Sequence, residues 1–255
     1  MDKHVFSTPF GEAWLWGAAP APEKPLVLVI EGAFSIPRPR GFDLAGYLPE
    51  ASVLNAHLPG NHCPPAVAQS VGAYAALYSD VLRQIGRPAV VAGASVGALV
   101  GLAMRDANVK GVVASDPPLV TGNLWPLAPG FRQRLADPSQ EPWVSDFIWN
   151  VFGVSADRHE NRDYRPLLDQ LGVPAWALLG TEPLQPPRKC AALPSLVDEP
   201  ERALLRGHPR VRVREVPGVG HNVPGRGIQF VRTAARDLLN TPSAAQAAPA
   251  NLEEM

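Results

Sequence analysis

The segment VVAGASVGALVG, residues 90–101, constrains this chain more than any other. An apolar run of valine and alanine ends at Gly93, Ala94-Ser95-Val96 follows, and from Gly97 the pattern is that of a buried helix. A strand that becomes a helix within so few residues brings two backbones close together, so its neighbours must be small. Gly93 and Gly97 supply that room, and Ala94 and Ala98 add little bulk. In this context the G-x-S-x-G spacing lifts a serine hydroxyl out of a strained turn. It also aims helix N-terminal amides at a place where negative charge develops. Ser95 is therefore the candidate nucleophile. The plainer reading is a glycine-lined junction in which Ser95 only caps the helix. A nucleotide-binding loop fits poorly: the dinucleotide fingerprint needs glycine where Ser95 stands, and no G-x-x-x-x-G-K-[ST] run is present.

The flanking chain supports a strand–helix–strand cadence. VFSTPFGEAWLWG (5–17) reads as two short strands turning at Pro9 to Gly11. LVLVIEG (26–32) is a continuous apolar run ended by glycine, as a fully buried parallel strand is. SVLNAHLPG (52–60) is a further strand, and residues 66–86 carry helical spacing that stops at Gly86. PAVVAG, KGVVAS and VPAWALLG (88–93, 110–115 and 173–180) read as strands, and SVGALVGLAMRD (95–106) as helix. RVRVREV (210–216) reads as a half-buried strand nearer an edge, with Arg210, Arg212 and Arg214 on its solvated face. A last helix spans about Gly227 to Leu239. This cadence implies right-handed crossovers and a mostly parallel sheet with helices on both faces, the α/β class.

Between Pro117 and Gly172 the rhythm breaks, and Trp125, Phe131, Trp143, Phe147, Trp149 and Phe152 collect among prolines. The segment reads as an insert packed over the sheet. The expected organisation is one domain over 1–240 with a cap-like insert at about 117–172, and an unstructured polar tail over 241–255. At 255 residues the chain is short for two separate cores.

Composition excludes more than it selects. A net charge of −1 gives no reason to expect nucleic acid or an anionic membrane as partner. The start, MDKHVFSTPF, lacks the apolar run of a signal peptide, and no stretch is long enough to span a bilayer, so a cytoplasmic protein is expected. Cys63 and Cys190, far apart, make no disulfide framework. His57, His62 and Cys63 are spaced closely enough to suggest metal binding, but no second cluster completes a tetrahedral site, so no metal is expected.

A serine hydroxyl is a poor nucleophile until a base takes its proton. The candidate base is His221 in VPGVGHNVPG, a glycine-rich loop between the last strand and the final helix. From there it can reach across the top of the sheet. His4, His159 and His208 lie in terminal or polar segments.

These residues, taken in order as IEGAF, HLPGNH, GASVGA, ALLGTEP and GVGHNV, make the chain resemble the α/β-hydrolase superfamily over most of residues 5–240. The resemblance implies the chain order nucleophile, acid, histidine. It also implies an oxyanion hole from the Val96 backbone N–H and a second N–H from Ala33 or Phe34. Two departures stand out. Many relatives carry histidine before the oxyanion glycine, where this chain has Glu31. Relatives usually place an aspartate shortly after the strand that precedes the histidine strand, where G-T-E-P offers Glu182. Glu182 is the first choice of acid and Asp116, just after KGVVAS, its rival; Asp198 and Glu199 rank lower as distant residues of a polar loop. The expectation is a serine hydrolase that cleaves a small or medium apolar carboxylic ester through an acyl-enzyme, with no cofactor and a small-molecule substrate as partner. The alternatives are a non-catalytic binding protein on the same scaffold, and an acyltransferase or thioesterase with the same residues.

Overall fold

The computed structural model describes residues 2–35, 44–182 and 193–241. The chain opens with a hairpin, β1 (Asp2–Thr8) and β2 (Gly11–Gly17), followed by the buried strand β3 (Leu26–Ile30) and β4 (Ser52–Ala56). Helix α1 (Val71–Ile85) leads to β5 (Ala89–Ala94), α2 (Val96–Ala103) and β6 (Val109–Ser115). After the insert come β7 (Ala175–Gly180) and, later, β8 (Val211–Val216). The eight strands form one sheet in the order β1-β2-β4-β3-β5-β6-β7-β8. β1, β2 and β4 pair antiparallel, and every pair from β4 to β8 is parallel.

Every residue of β3 is buried, because helices cover both of its faces. Leu26, Leu28 and Ile30 join a core with α1, α2 and the insert. Val27 and Val29, pointing the other way, join a second core with Val231, Ala234, Ala235 and Leu238 of the C-terminal helix. The chain leaves β3 toward β4 on one side and reaches β5 on the other, so the order reverses between β3 and β5. In open parallel sheets such a reversal leaves a crevice outside the strand ends, where sites form.

Local chemistry explains where the sequence-based boundaries moved. α1 begins at Val71, five residues later than the apolar spacing suggests, because the Ser70 hydroxyl accepts from the Ala73 N–H and caps the helix there. Val67 is instead drawn to the hairpin, its N–H donating to Phe10 O at 2.9 Å. Gly86, at φ 69°, closes the helix as expected.

The insert contributes no strand to the sheet. It holds α3 (Ala128–Leu135), α4 (Trp143–Phe147), a π-helical turn at Ile148–Phe152 and α5 (Pro166–Asp169). Residues 198 and 199, expected in a loop, instead start a helix, α6 (Glu199–Gly207), with Asp198 at the N-cap and proline in the first turn. Helices α7 (Val223–Arg226) and α8 (Ile228–Asn240) complete the chain, α8 matching the expected last helix. The tail over 242–255 lies outside the described residues. On β8, Arg212 pairs with Asp237 at 2.8 Å and the Arg214 guanidinium lies 5.4 Å from the Phe230 ring centroid, the solvated face its alternation implies. Among the described residues, no helix is long and apolar enough to cross a membrane.

Candidate active site

Ser95 stands at the sharp turn between β5 and α2, with φ 55° and ψ −120°, outside the ordinary region for a side-chain-bearing residue. Its backbone N–H donates to Ser115 O at 2.9 Å, so the turn is pinned to the end of the neighbouring strand β6. The packing around the turn leaves no room for a side chain at either flanking glycine. A Cβ on Gly93 would lie 2.2 Å from Gly97 O, and one on Gly97 would lie 2.2 Å from Ile30 O. Val96, the first residue of α2, has an N–H with no partner inside the helix.

The loop after β3 abuts this turn: a Cβ on Gly32 would lie 3.2 Å from the Ser95 Cβ. Ala33 and Phe34 follow as a turn, Phe34 at φ 51°. Ser35 anchors this loop to the segment after β4. His57 Nδ1 lies 2.9 Å from Ser35 Oγ, Asn61 Nδ2 donates to Ser35 Oγ at 2.9 Å, and His62 Nε2 lies 2.9 Å from Ser35 O. Cys63 donates from Sγ to Leu58 O at 3.4 Å, and burial pushes its thiol up to about 12. The histidines and cysteine whose spacing suggested a metal are thus engaged in bracing a loop. Among the described residues, no group of three or more His, Cys, Asp or Glu is placed to hold a metal ion. Glu31 is buried, and its backbone N–H extends the sheet by donating to Ala56 O at 2.9 Å.

From the insert, the Phe147 ring meets Phe34 edge-on at 5.4 Å and contacts Phe152 and Trp143 at 5.7 and 5.9 Å. The Arg134 guanidinium lies 4.1 Å from the Phe34 ring centroid. The insert therefore packs directly on the loop beside Ser95.

His221 is carried by the loop after β8. A Cβ on Gly180 would lie 2.2 Å from Gly220 O, so only a glycine at the end of β7 lets this loop cross so closely. The His221 N–H donates to Leu193 O at 2.8 Å, and its side chain is 17% exposed. Its ring Nδ1 lies 2.7 Å from Asp116 Oδ2.

The partner of His221 is therefore Asp116, the second of the two acids weighed, and not Glu182. The reason is topological. Asp116 follows directly from β6, the neighbour of β5, and stands at φ 48°, a turn conformation that aspartate tolerates. Glu182 has its backbone in the loop lattice instead: its N–H donates to Val219 O at 3.2 Å and its carbonyl accepts from Ser195 N–H.

The Asp116 side chain is fully buried, so its oxygens need donors from protein. Oδ1 accepts from Ser195 Oγ at 2.5 Å and Gly180 N–H at 3.4 Å; Oδ2 accepts from Leu196 N–H at 2.8 Å and faces His221. Ser195, Leu196 and Arg202, which stands behind Ser195, were not singled out from sequence. The serine and leucine lie in a loop without a motif. Arg202 was detectable only as a charged residue on the inner face of α6.

The chain's likeness to known proteins is one of family and fold. A profile described as the alpha/beta hydrolase family matches residues 10–233. No curated protein matches the sequence. Among solved structures, a thermophilic esterase from Thermogutta terrifontis is 20% identical, with a TM-score of 0.61 over 94% of this chain and 98% of its own. An N-acyl homoserine lactonase complexed with N-butanoyl homoserine is 17% identical, with a TM-score of 0.59 over 95% and 99%. The thioesterase domain from the curacin biosynthetic pathway is 16% identical, with a TM-score of 0.58 over 94% and 99%. At these identities the likeness is one of fold.

Proposed function

The chain belongs to the α/β-hydrolase family, and from that premise we propose that it is a serine hydrolase acting on small to medium apolar carboxylic esters. The observation that carries the reading is the coincidence of Ser95, on a strained turn at the end of β5, with an Asp116–His221 pair whose acid leaves the adjacent strand.

The roles follow from the chemistry. Ser95 Oγ attacks the ester carbonyl while His221 Nε2 takes its proton. Asp116, accepting at Oδ2, holds the imidazole in the tautomer that leaves Nε2 free and stabilises the imidazolium that forms. The Val96 and Ala33 amides donate to the carbonyl oxygen as it gains negative charge. His221 returns the proton to the departing alcohol, leaving Ser95 acylated. Water, deprotonated by His221, then attacks the acyl carbon and releases the acid and the free serine. No cofactor enters these steps.

The insert over about 117–172 serves in this reading as a cap, its buried Phe147 packed against Phe34 of the oxyanion loop. An apolar wall there favours apolar acyl or alcohol groups and excludes water. Thioesters and lactones present the same carbonyl to Ser95, and esterase, lactonase and thioesterase names all occur among the structures of similar fold.

The test is a fluorophosphonate probe, with the modified peptide mapped by mass, alongside hydrolysis of p-nitrophenyl esters of increasing acyl length. Stoichiometric labelling at Ser95 is expected, with turnover lost in Ser95→Ala at unchanged melting temperature. Turnover surviving in Ser95→Ala, or labelling elsewhere, rejects the assignment.

A further inference from the structure

Behind the Asp116 carboxylate lies a buried arginine that the proposed reaction does not use. Arg202, on α6, is 5% exposed. Its Nε donates to Val197 O at 2.8 Å, and its Nη2 donates to Gly180 O at 2.6 Å and to Ser195 Oγ at 2.9 Å. Its Nη1 lies 3.5 Å from Glu215 Oε1, at the edge of the protein.

Donor and acceptor counting fixes the direction of this chain. A guanidinium has five N–H donors and no acceptor, so Ser195 Oγ accepts from Arg202. The same oxygen accepts from the Val197 N–H at 3.3 Å. Its two lone pairs are then engaged, and its single hydrogen points along the 2.5 Å contact to Asp116 Oδ1. A free hydroxyl rotates; this one has a single satisfied orientation.

We propose that Arg202 and Ser195 are positioning residues for the acid: the guanidinium locks the Ser195 hydroxyl, and the hydroxyl locks the Asp116 carboxylate in the rotation that presents Oδ2 to His221. The inference rests on the triad of the preceding subsection. Ser195 is also a spacer. A guanidinium placed directly on Asp116 would form a buried ion pair and compete with the imidazolium for the same charge. Acting through a neutral hydroxyl, Arg202 orients the carboxylate without taking its charge from His221.

The experiment is a double-mutant cycle in the full-length protein. kcat and KM for a p-nitrophenyl ester are measured for Ser195→Ala, Asp116→Asn and the double variant. Ser195→Ala is expected to lower kcat about tenfold or more at unchanged KM, the scale of one hydrogen bond to a charged group. In the Asp116→Asn background the same change is expected to cost less than about twofold, because Ser195 acts only through Asp116. Arg202→Met, where it folds, is expected to lower kcat in the same direction and to add little to Ser195→Ala. Unchanged kcat in Ser195→Ala, or a loss that multiplies fully with Asp116→Asn, overturns the proposal. A parental kcat in Asp116→Asn itself would instead remove the triad on which it stands.

Discussion

Replacing Gly97 by alanine tests whether the geometry of the Ser95 turn is set by the contact between α2 and β3. The new Cβ would lie 2.2 Å from Ile30 O and 2.6 Å from Glu31 O, and real Cβ atoms essentially never come closer than 3.0 Å. The shortfall is about 0.8 Å against the nearer oxygen. Neither obstacle yields easily, since both are backbone carbonyls at the end of a strand paired on both sides, to β4 and β5. Helix α2 must therefore shift, and Ser95, its N-cap, shifts with it. Overpacking of this kind costs about 1–3 kcal/mol, which in a domain of this size lowers Tm by roughly 2–4 °C per kcal/mol. A displacement near 1 Å at a reacting atom costs on the order of a hundredfold in rate. Gly101→Ala, one turn further along the same helix, is the control. The atoms nearest its Cβ would be the Val91 and Val112 methyls, each at 3.2 Å, which need give by a few tenths of an ångström. Fluorophosphonate labelling rates and thermal melts separate the two effects. Gly97→Ala is expected to label about a hundredfold more slowly while Gly101→Ala stays within a few-fold of the parent. A parental labelling rate in Gly97→Ala would refute the reasoning.

The two acids separate cleanly: Asp116→Asn is expected to lower kcat by about a hundredfold or more and Glu182→Gln by less than about threefold. The reverse order in steady-state kinetics would return the role to Glu182. Cys63, its thiol pushed up to about 12 by burial, is expected to resist iodoacetamide at pH 8 in the native protein and to react after denaturation, as read by peptide mass; rapid native alkylation would show that the thiol is open. Glu201 is buried, and desolvation, reinforced by Asp198, raises its pKa above the usual 4.5. The folded state therefore holds the proton more tightly than the unfolded chain does, and its advantage is lost as pH rises from 4.5 through the raised value. Glu201→Gln removes that loss, so its Tm relative to the parent should climb across this window and then level off. A difference that stays flat from about pH 4 to 7 would contradict the shift.

Most of the sheet was legible because its signals are local. LVLVIEG announces a strand buried on both faces, and the G-A-S-V-G turn announces itself through glycines made obligatory by the close return of α2 over β5 at Gly93 and against β3 at Gly97. The turn at Ser95 and the loop carrying His221 could be read for the same reason. The carboxylate beside His221 could not, because Glu182 and Asp116 both follow strand ends, and only the three-dimensional approach of His221 Nδ1 to Asp116 Oδ2 separates them. Ser195 and Arg202 were hidden more deeply. Ser195 meets Asp116 across 79 residues of sequence, and Arg202 reaches it only through Ser195, so neither leaves a periodic trace. Helix α6 did carry a signal in DEPERALLRG, an aspartate cap, a proline in the first turn and a closing glycine, which the charge of the segment obscured.

The hydrogen bond from Ser95 N–H to Ser115 O joins the turn that holds the proposed nucleophile to the residue immediately before Asp116, the proposed acid. A machinist would say that two reference points have been cut from one block. The separation of Ser95 and Asp116 passes through a single strand pairing, so errors of position do not accumulate between them. His221 arrives by a separate route, from an edge strand and a loop laid across β7. Drift in β8 or in the loop that follows it can therefore displace the His221 ring while Ser95 and Asp116 stay in register.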